Sequence, residues 1–183
     1  MSELKTLRPR YIAEIISVSV EDTSLNPITT DEAKNYARID GSTDDDIVDM
    51  LIEAGQEAFE AFTGKLIYER TVTVEYEIEY YENKLYLPWL PIVSITSVTD
   101  SDDESVDWEL KGDYIEIDSH KNVTVVYEAG LVSENPAPNA LRLGLLKYVL
   151  SNYEDRQDTA GMSIQEMPNG SKSHWIKYKT WQI

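Results

Sequence analysis

The hydrophobic pattern of this 183-residue chain changes its period near residue 66, and this change limits the fold class more than any other feature. Before it, apolar residues recur at spacings of three and four, which predicts an amphipathic helix. That series is Ile47, Leu51, Ala54, Ala58 and Phe62. Between residues 72 and 80, apolar residues take every second position, as in a β-strand. Separate blocks of the two periods predict an α+β fold.

Three helices are predicted, over residues 30–39, 43–63 and 138–156, and together they form a small helical bundle. Thr29 and Glu32 have the spacing of a capping box at the start of the first helix. Gly64 suits the left-handed cap that ends the second helix. Pro138 suits the first position of the third helix.

The remaining segments predict an antiparallel β-meander and two arms. Short strands with turn residues between them occupy 66–128, so the sheet is inserted between the second and third helices. Residues 1–27 are predicted to form an extended N-terminal arm, and residues 28–157 the main domain. Residues 158–183 are predicted to form a flexible linker and an aromatic, basic tail.

The C-terminal tail is the strongest candidate for an interaction site. Aromatic and branched residues alternate there with lysines, so the tail either folds back on its own body or docks on another chain. The predicted partner-binding residues are Lys172, His174, Trp175, Ile176, Lys177, Tyr178, Lys179, Trp181 and Ile183. A second apolar stripe on the 43–63 helix predicts a subunit interface at Val48, Ile52 and Phe59.

Charge and composition argue against several functions. The chain has no cysteine and a net charge of −18, which disfavours thiolate chemistry and binding to nucleic-acid backbones. The charge is uneven: residues 1–10 carry +2, residues 167–183 carry +3, and the segment between them carries −23. No apolar run approaches the roughly 18 residues of a membrane span. Soluble protein made in the cytoplasm is therefore expected.

Catalytic and metal-binding patterns are lacking. His120 and His174 are the only two histidines, and neither lies in a nucleophile motif. The acidic stretches that begin at Asp40 and Asp100 have neither the glycine at position six nor the glutamate at position twelve of a calcium loop. The eight glycines form no phosphate loop. We therefore expect no cofactor, no metal and no enzymatic activity.

Five motifs in order resemble the head–tail connector proteins of tailed bacteriophages, which form the ring next to the portal. They are ITTDEAKNYARID at 28–40, DDDI to FTG at 44–64, LPWLPIVSITSV at 87–98, VTVVYEAG at 123–130 and PNALRLGLLKYVLSNYEDR at 138–156. Gly144 departs from the family pattern, which has a better helix former there. The arm and the tail lie outside the matched region.

The resemblance implies a structural virion protein of the neck, made in the bacterial host. Such an adaptor forms a homo-oligomeric ring, commonly a dodecamer, which docks on the portal protein and extends the DNA channel. It presents a surface to the next stopper or tail-completion protein and lets DNA pass without sequence-specific binding. The alternatives are another head-completion or tail-terminator protein, or an acidic small-ligand binding or enzymatic domain.

Overall fold

A computed structural model describes residues 13–78, 84–119, 121–154 and 169–179 of the chain. The helices are α1 (Thr30–Ala37), α2 (Asp45–Thr63), α3 (Asn139–Glu154) and α4 (Asn169–Trp175), followed by a 3-10 turn at Ile176–Tyr178. The strands are β1 (Glu14–Val20), β2 (Arg70–Glu77), β3 (Lys84–Tyr86), β4 (Ile92–Asp100), β5 (Trp108–Lys111), β6 (Tyr114–Ile117) and β7 (Val123–Ala129). These elements form two compact units, one helical and one built from strands.

The helical unit comprises residues 22–70, 89–91 and 129–183. Its α1 begins with the predicted capping box, in which the Glu32 N–H donates to the Thr29 hydroxyl oxygen and the Thr29 N–H donates to the Glu32 carboxylate. The helix ends at Ala37 because Arg38 adopts the left-handed conformation, with φ of 56°. The helix therefore ends two residues before the predicted boundary at residue 39.

Helices α2 and α3 form the centre of the same unit. Gly64 adopts φ of 69° and caps α2, as its position predicted. Apolar faces from α1, α2, α3 and α4 meet in one buried cluster. That cluster is Ile28, Ala33, Val48, Ile52, Phe59, Ile67, Tyr68, Ala137, Leu141, Leu145, Val149 and Trp175.

The strand unit comprises residues 1–21, 71–88 and 92–128 and contains two sheets. One sheet has four strands in the order β1-β2-β7-β4, and the other has three in the order β3-β6-β5. Alternate side chains of β2 and β7 are buried, as the two-residue period predicted. The Tyr76 hydroxyl on β2 donates to the Tyr86 carbonyl of β3 at 2.7 Å, so the two sheets are in contact at these strands.

The α+β class, the three predicted helices and the antiparallel insertion are confirmed. The strand order differs from a simple meander, because the chain crosses between the two sheets instead of pairing each strand with the next. Residues 14–20 of the predicted arm pair with β2 as an edge strand. Residues 169–175, predicted as part of a linker and tail, are helical. Residues 1–12, 155–168 and 180–183 lie outside the described residues; they include the rest of both predicted arms and the end of the predicted third helix.

Candidate functional site

The C-terminal segment, residues 169–179, lies on the bundle of its own subunit. Trp175 on α4 is fully buried, with its ring edge-on to Phe59 at 5.5 Å and stacked near Tyr148 at 6.1 Å. Its indole Nε1–H donates to the carbonyl of Leu141 on α3 at 3.3 Å. A buried Trp whose polar atom has a partner is a strong packing anchor, so Trp175 holds α4 against α2 and α3.

Gly144 on α3 provides the space that this indole occupies. A Cβ atom at position 144 would lie 2.1 Å from Trp175 Nε1 and 2.7 Å from its Cδ1. Such distances are far inside van der Waals contact, so a larger residue could not be accommodated without moving the ring. Gly144, which departs from the connector pattern, therefore makes room for Trp175, 31 positions later in the chain.

Two lysines of the segment lie over one aromatic ring of α2. Lys172 Nζ lies 5.9 Å, and Lys179 Nζ 4.8 Å, from the centre of the Phe62 ring. Tyr178 meets Phe59 edge-on at 5.6 Å. Cation–π contacts at exposed sites contribute about 0.5–1 kcal/mol each, so the indole remains the main anchor.

This packing corrects two predictions about contact residues. Val48, Ile52 and Phe59 are 0%, 1% and 0% exposed, so they face their own core instead of a neighbouring subunit. The reason is that α3 and α4 cover the second stripe of α2. Trp175, predicted to bind a partner, is the internal anchor of the segment. Of the two alternatives for the tail, its described part takes the fold-back one.

The outer face of the segment stays exposed. Ile176 is 41% exposed, Lys177 is exposed and His174 is partly exposed. Trp181 and Ile183 lie outside the described residues. Partner binding by the predicted tail residues other than Trp175 therefore stays a prediction, and Ile176 and Lys177 are its best-defined positions. In the sequence, the signal that the tail packs on its own subunit was Gly144 within a predicted helix, together with Trp175 in the tail.

A polar cleft of about 490 Å³ also lies in the helical unit. Its lining residues are Asp22, Thr23, Ser24, Asn26, Glu53, Gln56, Glu57, Glu60 and Arg70. Arg70 donates to Glu60 at 2.5 Å, and the same carboxylate oxygen accepts the Ile67 N–H at 3.0 Å. The lining contains no histidine, and within it the Glu60 carboxylate is held by Arg70.

Asp100, Asp102 and Glu32 form ion pairs with lysine or arginine side chains. Lys121 bridges Asp100 at 2.8 Å and Asp102 at 2.7 Å, and these contacts raise the pKa of the lysine. The pKa of the Glu32 carboxyl is lowered, chiefly by the Thr29 N–H and further by Arg142. Within the described residues, no group of three or more metal-binding side chains occurs. The helices of that part of the chain are also too short or too polar to cross a membrane.

The architecture is shared with chains of gene transfer agent (GTA) particles. One is from the neck of the empty GTA particle computed with C6 symmetry, with a TM-score of 0.70, 18% identity, and coverage of 90% of this chain and 97% of that one. The chain has the fold of a neck protein. A second is from the neck of the native particle computed with C12 symmetry, with a TM-score of 0.65 and 18% identity over 90% of this chain and 97% of the other.

A third similar chain comes from the virion of the native GTA particle, with a TM-score of 0.64, 19% identity, and coverage of 90% and 96% of the two chains. No family model and no curated protein match the sequence. The expected likeness to a head–tail connector is confirmed at the level of fold, since both the helical bundle and the inserted sheets are contained in the match. At 18–19% identity, the likeness lies in the fold and not in the sequence.

Proposed function

We propose that this chain is a structural neck protein of a phage-like virion, an adaptor whose copies form a ring on the portal. The observation that carries the proposal is the fold match, which spans 90% of this chain and 97% of a chain from a GTA neck. Coverage of this extent includes both units, so the likeness is not that of a common small motif. The C6 and C12 symmetries of those necks favour a ring of copies.

The charge of the chain supports passage of DNA without binding. A net charge of −18 repels the phosphate backbone, so a ring of such subunits would not retain DNA by counterion release. No enzymatic step is needed for this role. A ring of acidic subunits would extend the channel and present a surface to the next protein of the neck.

We assign portal contact to the outer face of the C-terminal segment, at Ile176 and Lys177. Removal of the whole segment would also take Trp175 out of the core, so single variants of exposed side chains are the sharper test. Ile176→Asp and Lys177→Glu should leave the fold intact because both side chains are exposed. Met50→Asp on α2 is the matched control, since Met50 is 59% exposed.

The experiment mixes each purified variant with the portal protein encoded by the same genome and images the mixture by electron microscopy. We expect the unaltered chain and Met50→Asp to form rings on the portal, and the two segment variants to bind it at least tenfold more weakly. Absence of any ring with the unaltered chain would overturn the adaptor role. Rings of equal occupancy with all variants would overturn the assignment of portal contact to this face.

A further inference from the structure

Strand β1 lies at the edge of its sheet. It carries apolar side chains on the face of the sheet that is buried at the neighbouring strand β2. Its register with β2 pairs Ile15 with Tyr76 and Val18 with Val74. Residues paired across antiparallel strands share a face, and Tyr76 and Val74 are 2% and 0% exposed. Ile15 and Val18 nevertheless remain 40% and 41% exposed. The buried face of the sheet therefore continues onto β1 and loses its cover there.

The offset between the two sheets explains this exposure. Strand β3 lies across from β2, as the Tyr76 to Tyr86 hydrogen bond shows. At the other side, the Val106 N–H donates to the Val98 carbonyl of β4 at 3.0 Å, so the chain enters β5 beside β4. These two contacts join the smaller sheet to β2 and to β4, whereas β1 lies beyond β2 at the edge of the larger sheet.

The opposite edge of the unit, at β5, also exposes apolar side chains. Strand β5 pairs with β6 so that Leu110 lies beside Ile115 and Trp108 beside Ile117. Ile115 and Ile117 are buried, at 0% and 6% exposed, whereas Leu110 and Trp108 are 41% and 42% exposed. The smaller sheet therefore exposes apolar side chains at its β5 edge, and the larger sheet has an apolar overhang at β1.

We infer that the β1 overhang of one subunit packs against the exposed apolar edge at β5 of a second copy of this chain. Ile15 and Val18 of one copy would cover Trp108 and Leu110 of the next, so that the two-layered strand unit continues from subunit to subunit. The two surfaces are different and lie on opposite edges, which makes the contact heterologous. Heterologous contacts close into rings, whereas a self-complementary patch stops at a dimer.

The second copy is the occupant that the observations favour. Edge strands with exposed apolar side chains and no charged residue between them invite strand association, and residues 15–20 contain no charge. The chains that share this fold lie in necks with C6 and C12 symmetry. The inference rests on the proposed ring, and it specifies which edges of the strand unit join the copies.

Cysteine cross-linking tests this contact, because the natural chain has no cysteine. Val18→Cys and Leu110→Cys are prepared as single variants, and circular dichroism checks that each folds. Each variant alone, and an equal mixture of the two, is assembled on the portal protein of the same genome, oxidised mildly and separated on a non-reducing gel. Met50→Cys mixed with Val18→Cys is the control pair, since Met50 lies on α2 in the helical unit.

We expect a disulfide-linked dimer only in the mixture of Val18→Cys and Leu110→Cys, and a ladder of larger species when one chain carries both. Ile15→Cys with Trp108→Cys provides a second pair with the same expectation. Rings without a dimer from either pair would overturn the contact while leaving the adaptor role standing, and would favour cover of β1 by residues 1–12 of its own chain. A dimer from Val18→Cys alone would also overturn it, because it would indicate a self-complementary edge. Absence of rings altogether would overturn the adaptor role and the contact with it.

Discussion

Replacement of Gly144 by alanine tests whether the C-terminal segment is part of the folded core. At an exposed helical position, Gly→Ala stabilises by about 1 kcal/mol through helix propensity. Here the new Cβ would lie 2.1 Å from Trp175 Nε1, so the indole must shift or leave. Overpacking costs about 1–3 kcal/mol, and complete loss of a buried Trp about 3–5 kcal/mol. We therefore expect Gly144→Ala to lower the free energy of unfolding by up to about 4 kcal/mol, after the propensity gain is subtracted.

The same substitution should change sign when Trp175 is absent. In a Trp175→Ala chain the indole no longer opposes the new methyl group, so Gly144→Ala should stabilise by up to about 1 kcal/mol. The double-mutant cycle then gives a coupling of about 1–5 kcal/mol between the two positions, a range that overlaps the roughly 0.5–3 kcal/mol typical of residues in contact. Gly170→Ala is the control, because a Cβ there meets only the flexible Lys147 side chain at 3.4 Å.

The assay is urea unfolding of the four chains of the cycle, followed by far-UV circular dichroism. Equal effects of Gly144→Ala with and without Trp175 would show that the indole does not occupy the space beside α3. A stabilised Gly144→Ala single variant would refute the reasoning in the same way.

Two further substitutions probe ion pairs of the helical unit. In Glu32→Gln the loss should be under about 1 kcal/mol at neutral pH, since the pair with Arg142 is partly exposed. Because folding lowers the pKa of Glu32, its stabilisation is present above the unfolded value and lost as pH falls through the folded one, so the variant should lose less stability between pH 6 and pH 3. A wild-type acid dependence in the variant would contradict this. Arg70→Met should cost about 3–5 kcal/mol by leaving Glu60 buried without its cation, and adding Glu60→Gln should recover part of the loss; no recovery would disprove the pairing.

Local sequence signals predicted the first two helices well because their ends are determined by nearby residues. The capping box at Thr29 and the left-handed Gly64 act within a single turn, so pattern alone located them. The third helix also begins one residue from its predicted start. The alternation in β2 predicted its buried face because a strand between two layers follows its own period.

Long-range packing explains what the pattern missed. Helix α4 has the composition of a linker, with Asn, Gly and Ser in its first turns, and it is held by one tryptophan that fits beside a glycine of α3. The strand order depends on chain crossings between two sheets, which no local period records. The second stripe of α2 is apolar because α3 and α4 cover it, and a periodicity count cannot distinguish such cover from a neighbouring subunit.

Both units are assembled from separate stretches of the chain, and this has a consequence for folding. The helical unit draws on residues 22–70 and 129–183, while the strand unit takes 1–21 and most of 71–128. Each unit must therefore bring together segments far apart in sequence, and such loop closure slows folding. No single cut would release either unit whole, so fragments ending at residue 70 or 128 should fail to fold alone. The helical unit and the strand unit should therefore both form late in folding, at the same stage.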